Sequence, residues 1–338
     1  MDLNTIWFLL IAVLIAGYAV LDGFDLGVGV LHLFTFSDHD KRVNLNAIGP
    51  VWDGNEVWLL TGGGALFAAF PIVYATVFSG FYLALMLLLL ALILRAVSIE
   101  FRGKVDSPKW KKYWDLAFGI GSLLPAILFG VAVGNILRGI PINSSGVFTG
   151  SFFTLLNPYS ILVGVLSLAM FIMHGAVYLT LKVEHERAVR LKSLINKFWF
   201  IYVVLYVIVT LFTMFESSFL MERILKNPLF YIFFLLLLGA IIYLPVAVQS
   251  EKFGKAFISS SLIIASMIGI MAVSLFPRLV PSLTDLSNSL TIYNASSTPR
   301  TLETMLIIAI IGVPLVLIYT IFIYRTFKGK VVIEEDSY

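Results

Sequence analysis

Apolar residues run along this chain in long stretches at about 5–32, 48–70, 73–98, 114–137, 156–181, 196–215, 228–248, 256–277 and 302–325, separated by short polar segments. Each is close to the ~20 residues that carry a helix across bilayer hydrocarbon, so the pattern predicts an all-α integral membrane protein with nine transmembrane helices. The second stretch is the least apolar, because Val51 to Gly64 is rich in glycine and polar side chains, and it merges into the third at Pro71. One helix over residues 48–98 would be about 75 Å long at 1.5 Å per residue, more than twice a ~30 Å core, so the chain is expected to turn back near Pro71. No period of about 20–50 residues repeats and no low-complexity tract intervenes, which makes residues 1–338 a single polytopic membrane domain.

Charge gives these spans a direction. If the N-terminus faces outside, 18 of the 23 Lys and Arg residues fall in inner loops and flanks, and only Arg138, Arg223, Lys226, Arg278 and Arg300 fall outside. Basic residues collect on the cytoplasmic side of membrane proteins, so the expected topology is N-out and C-in. Deleting the second span would move the Arg95 to Lys112 cluster to the opposite side and destroy the asymmetry. The N-terminal residues Met1 to Asn4 lack a basic n-region, and the first apolar stretch is expected to be a retained helix. The longest outer segment, Pro277 to Arg300, reads either as a solvated connector or as an ordered polar cap.

Composition agrees with the membrane reading. The chain is 59% hydrophobic and 13% charged, against roughly 45–50% and about 25% in soluble domains. The net charge of +3 follows from the cytoplasmic loops and does not imply nucleic acid. There is no cysteine, which excludes disulfides, thiolate metal sites, iron–sulfur ligation and thiol catalysis.

Chemistry concentrates where lipid should forbid it. The first helix ends Asp22-Gly23-Phe24-Asp25, and the second opens Trp52-Asp53-Gly54-Asn55-Glu56-Val57-Trp58, so two pairs of acids stand three residues apart on adjacent helices. An acid at a helix centre costs about 2.5–3.5 kcal/mol on insertion scales, and its retention signals a proton or ion path or a specific buried pair. In the N-out topology Asp25 and Asp53 lie in the cytoplasmic half, where protons are collected. Asp22 reads as a cap or pair near a helix end, and Glu56 as a hydrogen-bonding partner of another helix or part of the path. Trp52 and Trp58 read first as packing or interfacial residues. Arg95, Glu100 and Arg102 suggest a local pairing network that anchors the third helix. Thr61-Gly62-Gly63-Gly64 suits either close helix packing or a broken-helix site. His174 is the one histidine deep inside a span, and Met170, one turn earlier, faces the same way, which does not suit two opposed haem ligands. No phosphate loop or HExxH spacing is present.

The run from Gly17 to Gly29, the run from Pro50 through Asp53-Gly54-Asn55-Glu56 to Pro71, and Phe78-Ser79-Gly80-Phe81-Tyr82, Phe101-Arg102, Gly134-Asn135, Leu156-Asn157-Pro158, Phe276-Pro277 and Ser289-Leu290-Thr291 resemble subunit II of cytochrome bd quinol oxidases. The resemblance covers most of the chain. It implies two four-helix bundles plus one peripheral helix, and a pseudo-symmetric heterodimer with subunit I, optionally accompanied by a small third subunit. It implies that this chain binds no haem, while subunit I carries two b-type haems, one d-type haem and the quinol site. The complex would be an electrogenic terminal oxidase of a respiratory chain in a bacterial or archaeal cytoplasmic membrane. It would oxidise membrane quinol, reduce O2 to water with cytoplasmic protons and so generate proton motive force. By motif match Asp53 takes the place of the family's acid on the proton route at the subunit interface, and Trp58 that of a tryptophan at an oxygen entrance. Glu56 stands where other members carry glutamine. The competing expectation is an ion-coupled secondary transporter that uses the same acids, although neither an inverted repeat nor paired broken helices is visible.

Overall fold

The computed structural model describes residues 2–333, apart from the side chains of Glu222 and Arg223. Met1 and the side chain of Arg223, which enter the expectations above, lie outside the described residues. The fold is almost wholly helical: α1 (Leu3–His32), α2 (Asp38–Ile48), α3 (Trp52–Ala69), α4 (Pro71–Gly80), α5 (Tyr82–Phe101), α6 (Pro108–Arg138), α7 (Phe152–Leu155), α8 (Pro158–Lys182), α9 (His185–Glu216), α10 (Ser218–Ile224), α11 (Pro228–Gln249), α12 (Phe253–Leu275) and α13 (Pro299–Thr326), with strands β1 (Arg278–Val280) and β2 (Leu290–Thr291) before α13.

The helix starts are written in the sequence. α4, α6, α8, α11 and α13 each begin at a proline, whose fixed φ suits the first helical position and whose missing N–H is not needed there. Side-chain caps precede several of them: Asn157 Oδ1 accepts from Ser160 N at 2.9 Å, and Asn227 Oδ1 from Leu229 N at 3.0 Å.

Eight helices among the described residues are long and apolar enough to cross a membrane: α1, α5 with the turn after it, α6, α8, α9, α11, α12 and α13. The polar helix α3 is not among them. The chain does turn back at Pro71. Phe70 leaves the helical region (φ −133°, ψ 66°), and Arg95 near the end of α5 pairs with Glu56 near the start of α3, so the two helices run antiparallel. The expected third span, 73–98, is interrupted at Phe81 and so falls into α4 and α5. α9 starts at His185 rather than 196, because the charged residues before the apolar run are good helix formers and extend it beyond the hydrocarbon.

α8 is the central helix. Within its most apolar stretch 78% of residues are buried in the protein, against none in α13, which is peripheral. α1 crosses α8 backbone to backbone: a Cβ added at Gly175 would stand 2.6 Å from the carbonyl carbon of Gly27. The larger core lies around Phe24, Tyr178 and Phe257, with Phe24 stacked on Tyr178 at 3.9 Å between ring centres. A second core gathers Trp7, Phe8, Ile140, Val280 and Ile292 at the end where α1 begins.

The segment between α12 and α13 is an ordered cap, which corrects the reading of a solvated connector. β1 and β2 pair antiparallel, and Ile140 bridges to Ser282. The reason is apolar content: Val280, Leu290, Ile292 and Ala295 are buried beneath the polar surface. The last helix is tied in at both ends. Trp7 Nε1 donates to Leu302 O at 3.0 Å, while beyond α13 Val331 N donates to Lys182 O at 2.8 Å.

Candidate functional site

The buried acids of α1 are satisfied from different helices. Asp22 and Arg95 are both fully buried, and Arg95 reaches Asp22 as a fork, Nη1 to Oδ2 at 3.0 Å and Nη2 to Oδ1 at 2.6 Å. Such planar two-point pairing is the strongest a guanidinium makes with a carboxylate. The same Nη2 donates to Glu56 Oε1 at 3.0 Å. Asp22 is therefore an interhelical ion-pair partner, and Glu56 joins the same guanidinium from α3.

Asp25, one turn further along α1, turns toward α3 and α13. Asn55 Nδ2 donates to Asp25 Oδ2 at 2.7 Å and to Leu21 O at 3.1 Å, and the Tyr324 hydroxyl donates to Asn55 Oδ1 at 2.9 Å. The other carboxyl oxygen of Asp25, Oδ1, is buried with no hydrogen-bond partner among the described residues. Two carboxyl groups thus share the Arg95 guanidinium, and a third, on Asp25, stands one turn away on α1 with an amide as its partner.

Asp53 is exposed on α3 and lines a cavity of about 450 Å3 with Gly54, Asn55, Glu100, Tyr319 and Tyr324. Asn55 belongs to both this cavity and the Asp25 cluster, and so links Asp53 and Asp25, two of the three acids expected on a proton path with Glu56. The outward face of α3 also carries Gly54, Val57, Leu60, Thr61, Gly64 and Phe67, all exposed. An ionisable residue on a bare face inside a membrane needs a cover.

Of the residues expected to form a local network, Arg95, Glu100 and Arg102, the two arginines reach acids on other elements. Their helix directs the two arginines to different neighbours: Arg95 to Asp22 and Glu56, Arg102 to Asp115 of α6 (Nε to Oδ1, 2.5 Å) and to Asp38 of α2 (Nη2 to Oδ1, 2.7 Å). Glu100 lines the cavity. Around Asp115 a second cluster forms, with His32 Nε2 at 2.7 Å and Lys41 Nζ at 2.8 Å. These charges fasten the short polar helix α2 against α6, an element whose length and polarity gave the span pattern no signal.

Trp58 is 9% exposed and packs in a small cluster with Leu14 and Tyr18, its ring filling the space beside Gly17. Gly63 and Gly64 face open space. His174 is fully buried with both ring nitrogens engaged, Nδ1 with Ser260 Oγ at 2.7 Å and Nε2 with Val20 O at 2.9 Å. It has no nitrogen left for a haem iron, and so does not fit that group. Among the described residues no cluster of three His, Asp or Glu side chains could hold a metal ion.

A family model described as cytochrome bd terminal oxidase subunit II matches residues 3–327. Cytochrome bd-I ubiquinol oxidase subunit 2 of Escherichia coli (strain K12) is 36% identical, over 98% of this chain and 96% of that protein. The probable cytochrome oxidase subunit 2 of Haemophilus influenzae is 38% identical over 97% and 95%, and cytochrome bd ubiquinol oxidase subunit 2 of Bacillus subtilis 36% over 98% and 97%. Among solved structures, bd oxidase from Geobacillus thermodenitrificans superposes with a TM-score of 0.80 at 17% identity, covering 97% of this chain and 99% of that one, a likeness of fold.

Proposed function

Because the chain belongs to the cytochrome bd terminal oxidase subunit II family, we propose that it is the haem-free subunit of an electrogenic quinol:O2 oxidoreductase and that it conducts cytoplasmic protons toward haem on subunit I. It is not catalytic alone. It works as a multi-pass subunit of a bacterial or archaeal cytoplasmic membrane, in a pseudo-symmetric heterodimer with subunit I, with lipids and optionally a small third subunit around it. α3 is the ninth span of a single domain covering residues 1–338, arranged N-out and C-in as two four-helix bundles with α13 outside them.

One observation carries the proton route: Asp53 lines a cavity whose wall, Asn55, is hydrogen-bonded to the fully buried Asp25. Protons enter at Asp53, cross the cavity and reach Asp25, while the bare face of α3 is covered by subunit I. Glu56 belongs to the route but shares Arg95 with Asp22, so its charge matters less than that of Asp53. Trp58 sits between this face and α1, at the interface or at an oxygen entrance. The named relatives support the oxidase over an ion-coupled transporter.

The test is quinol-driven O2 uptake by the purified complex carrying Asp53→Asn, Asp25→Asn or Glu56→Gln, each normalised to haem content. Turnover is expected to fall about 10²-fold or more in the first two, the scale of a lost proton-transfer group, and less in the third. Wild-type turnover by a fully assembled Asp53→Asn complex rules out the route.

A further inference from the structure

Among the described residues, Asn55 is the one side chain that both lines the Asp53 cavity and bonds Asp25, so what fixes its amide fixes access between them. An amide has two unlike ends, a donor and an acceptor. Leu21 O can only accept, so the 3.1 Å contact sets Nδ2 toward α1 and Oδ1 toward α13. The Tyr324 hydroxyl must then be the donor at 2.9 Å. Both Nδ2 hydrogens are used, on Asp25 and Leu21, and Asn55 is held from two sides.

Tyr324 itself sits on an unusual support. α13 buries only Leu302, near its outer start, and its inner half contributes Tyr319, Thr320, Ile323 and Tyr324 to the cavity wall. At that end Tyr324 meets Asn55 by hydrogen bond and Phe24 edge-on, 6.5 Å between ring centres. The polar latch of this wall is therefore a phenol.

We infer that Tyr324 is a positioning residue for Asp25. Acting through Asn55, it fastens the inner end of α13 as the wall of the cavity and keeps the amide donating to Asp25 Oδ2. Oδ1, the oxygen with no partner among the described residues, is thereby left to take and release the proton. The inference rests on the proposed route from Asp53 to Asp25.

Tyr324→Phe in the assembled oxidase removes the hydroxyl and keeps the ring against Phe24. The charged and titratable groups facing Asp25 are Asp22 on its own helix, Glu56 on α3, Arg95 on α5, Tyr178 on α8 and Tyr324 on α13, and the variant changes one of them. Expected are kcat lower by about three- to tenfold, the effect of one lost orienting hydrogen bond, an unchanged KM for quinol and a displaced pH–rate profile. The infrared carboxyl band that Asp25→Asn abolishes should also shift. Asn55→Ala removes the bridge itself, together with the acceptor of the Tyr324 hydroxyl, and should move the same band. A Tyr324→Phe enzyme with wild-type kcat, pH profile and carboxyl band overturns the inference, the more clearly if Asn55→Ala moves that band. Wild-type turnover by Asp53→Asn instead overturns the route beneath it.

Discussion

Arg95 and Asp22 meet in a two-point fork, 3.0 Å and 2.6 Å, with neither side chain exposed, and so join α5 to α1 inside the membrane. Glu56 adds a third arm from α3 at 3.0 Å. The pair fixes how three helices stand around the acids.

Breaking it from the two sides should cost different amounts. Arg95→Leu strands Asp22 with no counter-charge and is expected to destabilise the complex by about 3–5 kcal/mol. Asp22→Asn leaves Arg95 its contact with Glu56 and should cost about half as much. The double variant should be closer to wild type than Arg95→Leu, since the stranded charge is gone. Thermal unfolding in detergent across all four proteins measures the cycle.

Glycines on α8 and α3 should respond oppositely. Gly175→Leu has no room, since its Cβ would meet the backbone of Gly27 and Val28 at 2.6 Å. It should cost about 1–3 kcal/mol or more and reduce the amount of folded chain. Gly64 faces open space within this subunit, so Gly64→Leu should leave the chain folded and weaken its recovery with subunit I. Comparing membrane levels of this chain with the fraction that co-purifies with haem separates the two effects.

Acidity should loosen the short helix α2. The Arg102 hydrogen bond holds the Asp38 carboxyl below its ordinary value of 3.8. A lowered carboxyl adds stability above its unfolded pKa and loses it as the pH falls through the folded one. The Asp38 side chain is 57% exposed, so Asp38→Asn should cost at most about 1 kcal/mol near neutrality. The difference from wild type should fade below pH 3.8 and be gone in stronger acid. Amide exchange in α2, followed against pH in both proteins, reads it.

The spans were legible because hydrocarbon thickness imposes a length that runs of Leu, Ile, Val and Phe reveal. The turn at Pro71 followed from that length alone. The break at Phe81 did not, because a single Ser79-Gly80 inside a long apolar run is also tolerated within a continuous helix. α2 escaped because it is short and polar. The acids themselves stood out, since a charge among twenty apolar residues is costly. Their partners did not: Asp25 and Asn55 are 30 residues apart, and Asn55 and Tyr324 269. Helix faces toward lipid and toward protein are equally apolar, so periodicity does not say which faces meet. The reach of Arg95 across to Asp22 on α1 was not legible either, because the rotation of α5 rather than sequence spacing decides it.

The hydrogen bond from Trp7 to Leu302 ties residues 295 positions apart, and this has a bearing on biosynthesis. At about 5–20 residues per second, a ribosome needs roughly 15–60 s to travel from one to the other. For that time the first helix waits in the bilayer with its indole N–H unanswered by its final acceptor. The cap strands and the Leu302 carbonyl are among the last parts delivered. Closure of the end where α1 begins is therefore a late event, completed only after translation has nearly finished, and an arrested chain ending before Pro299 would be held open there.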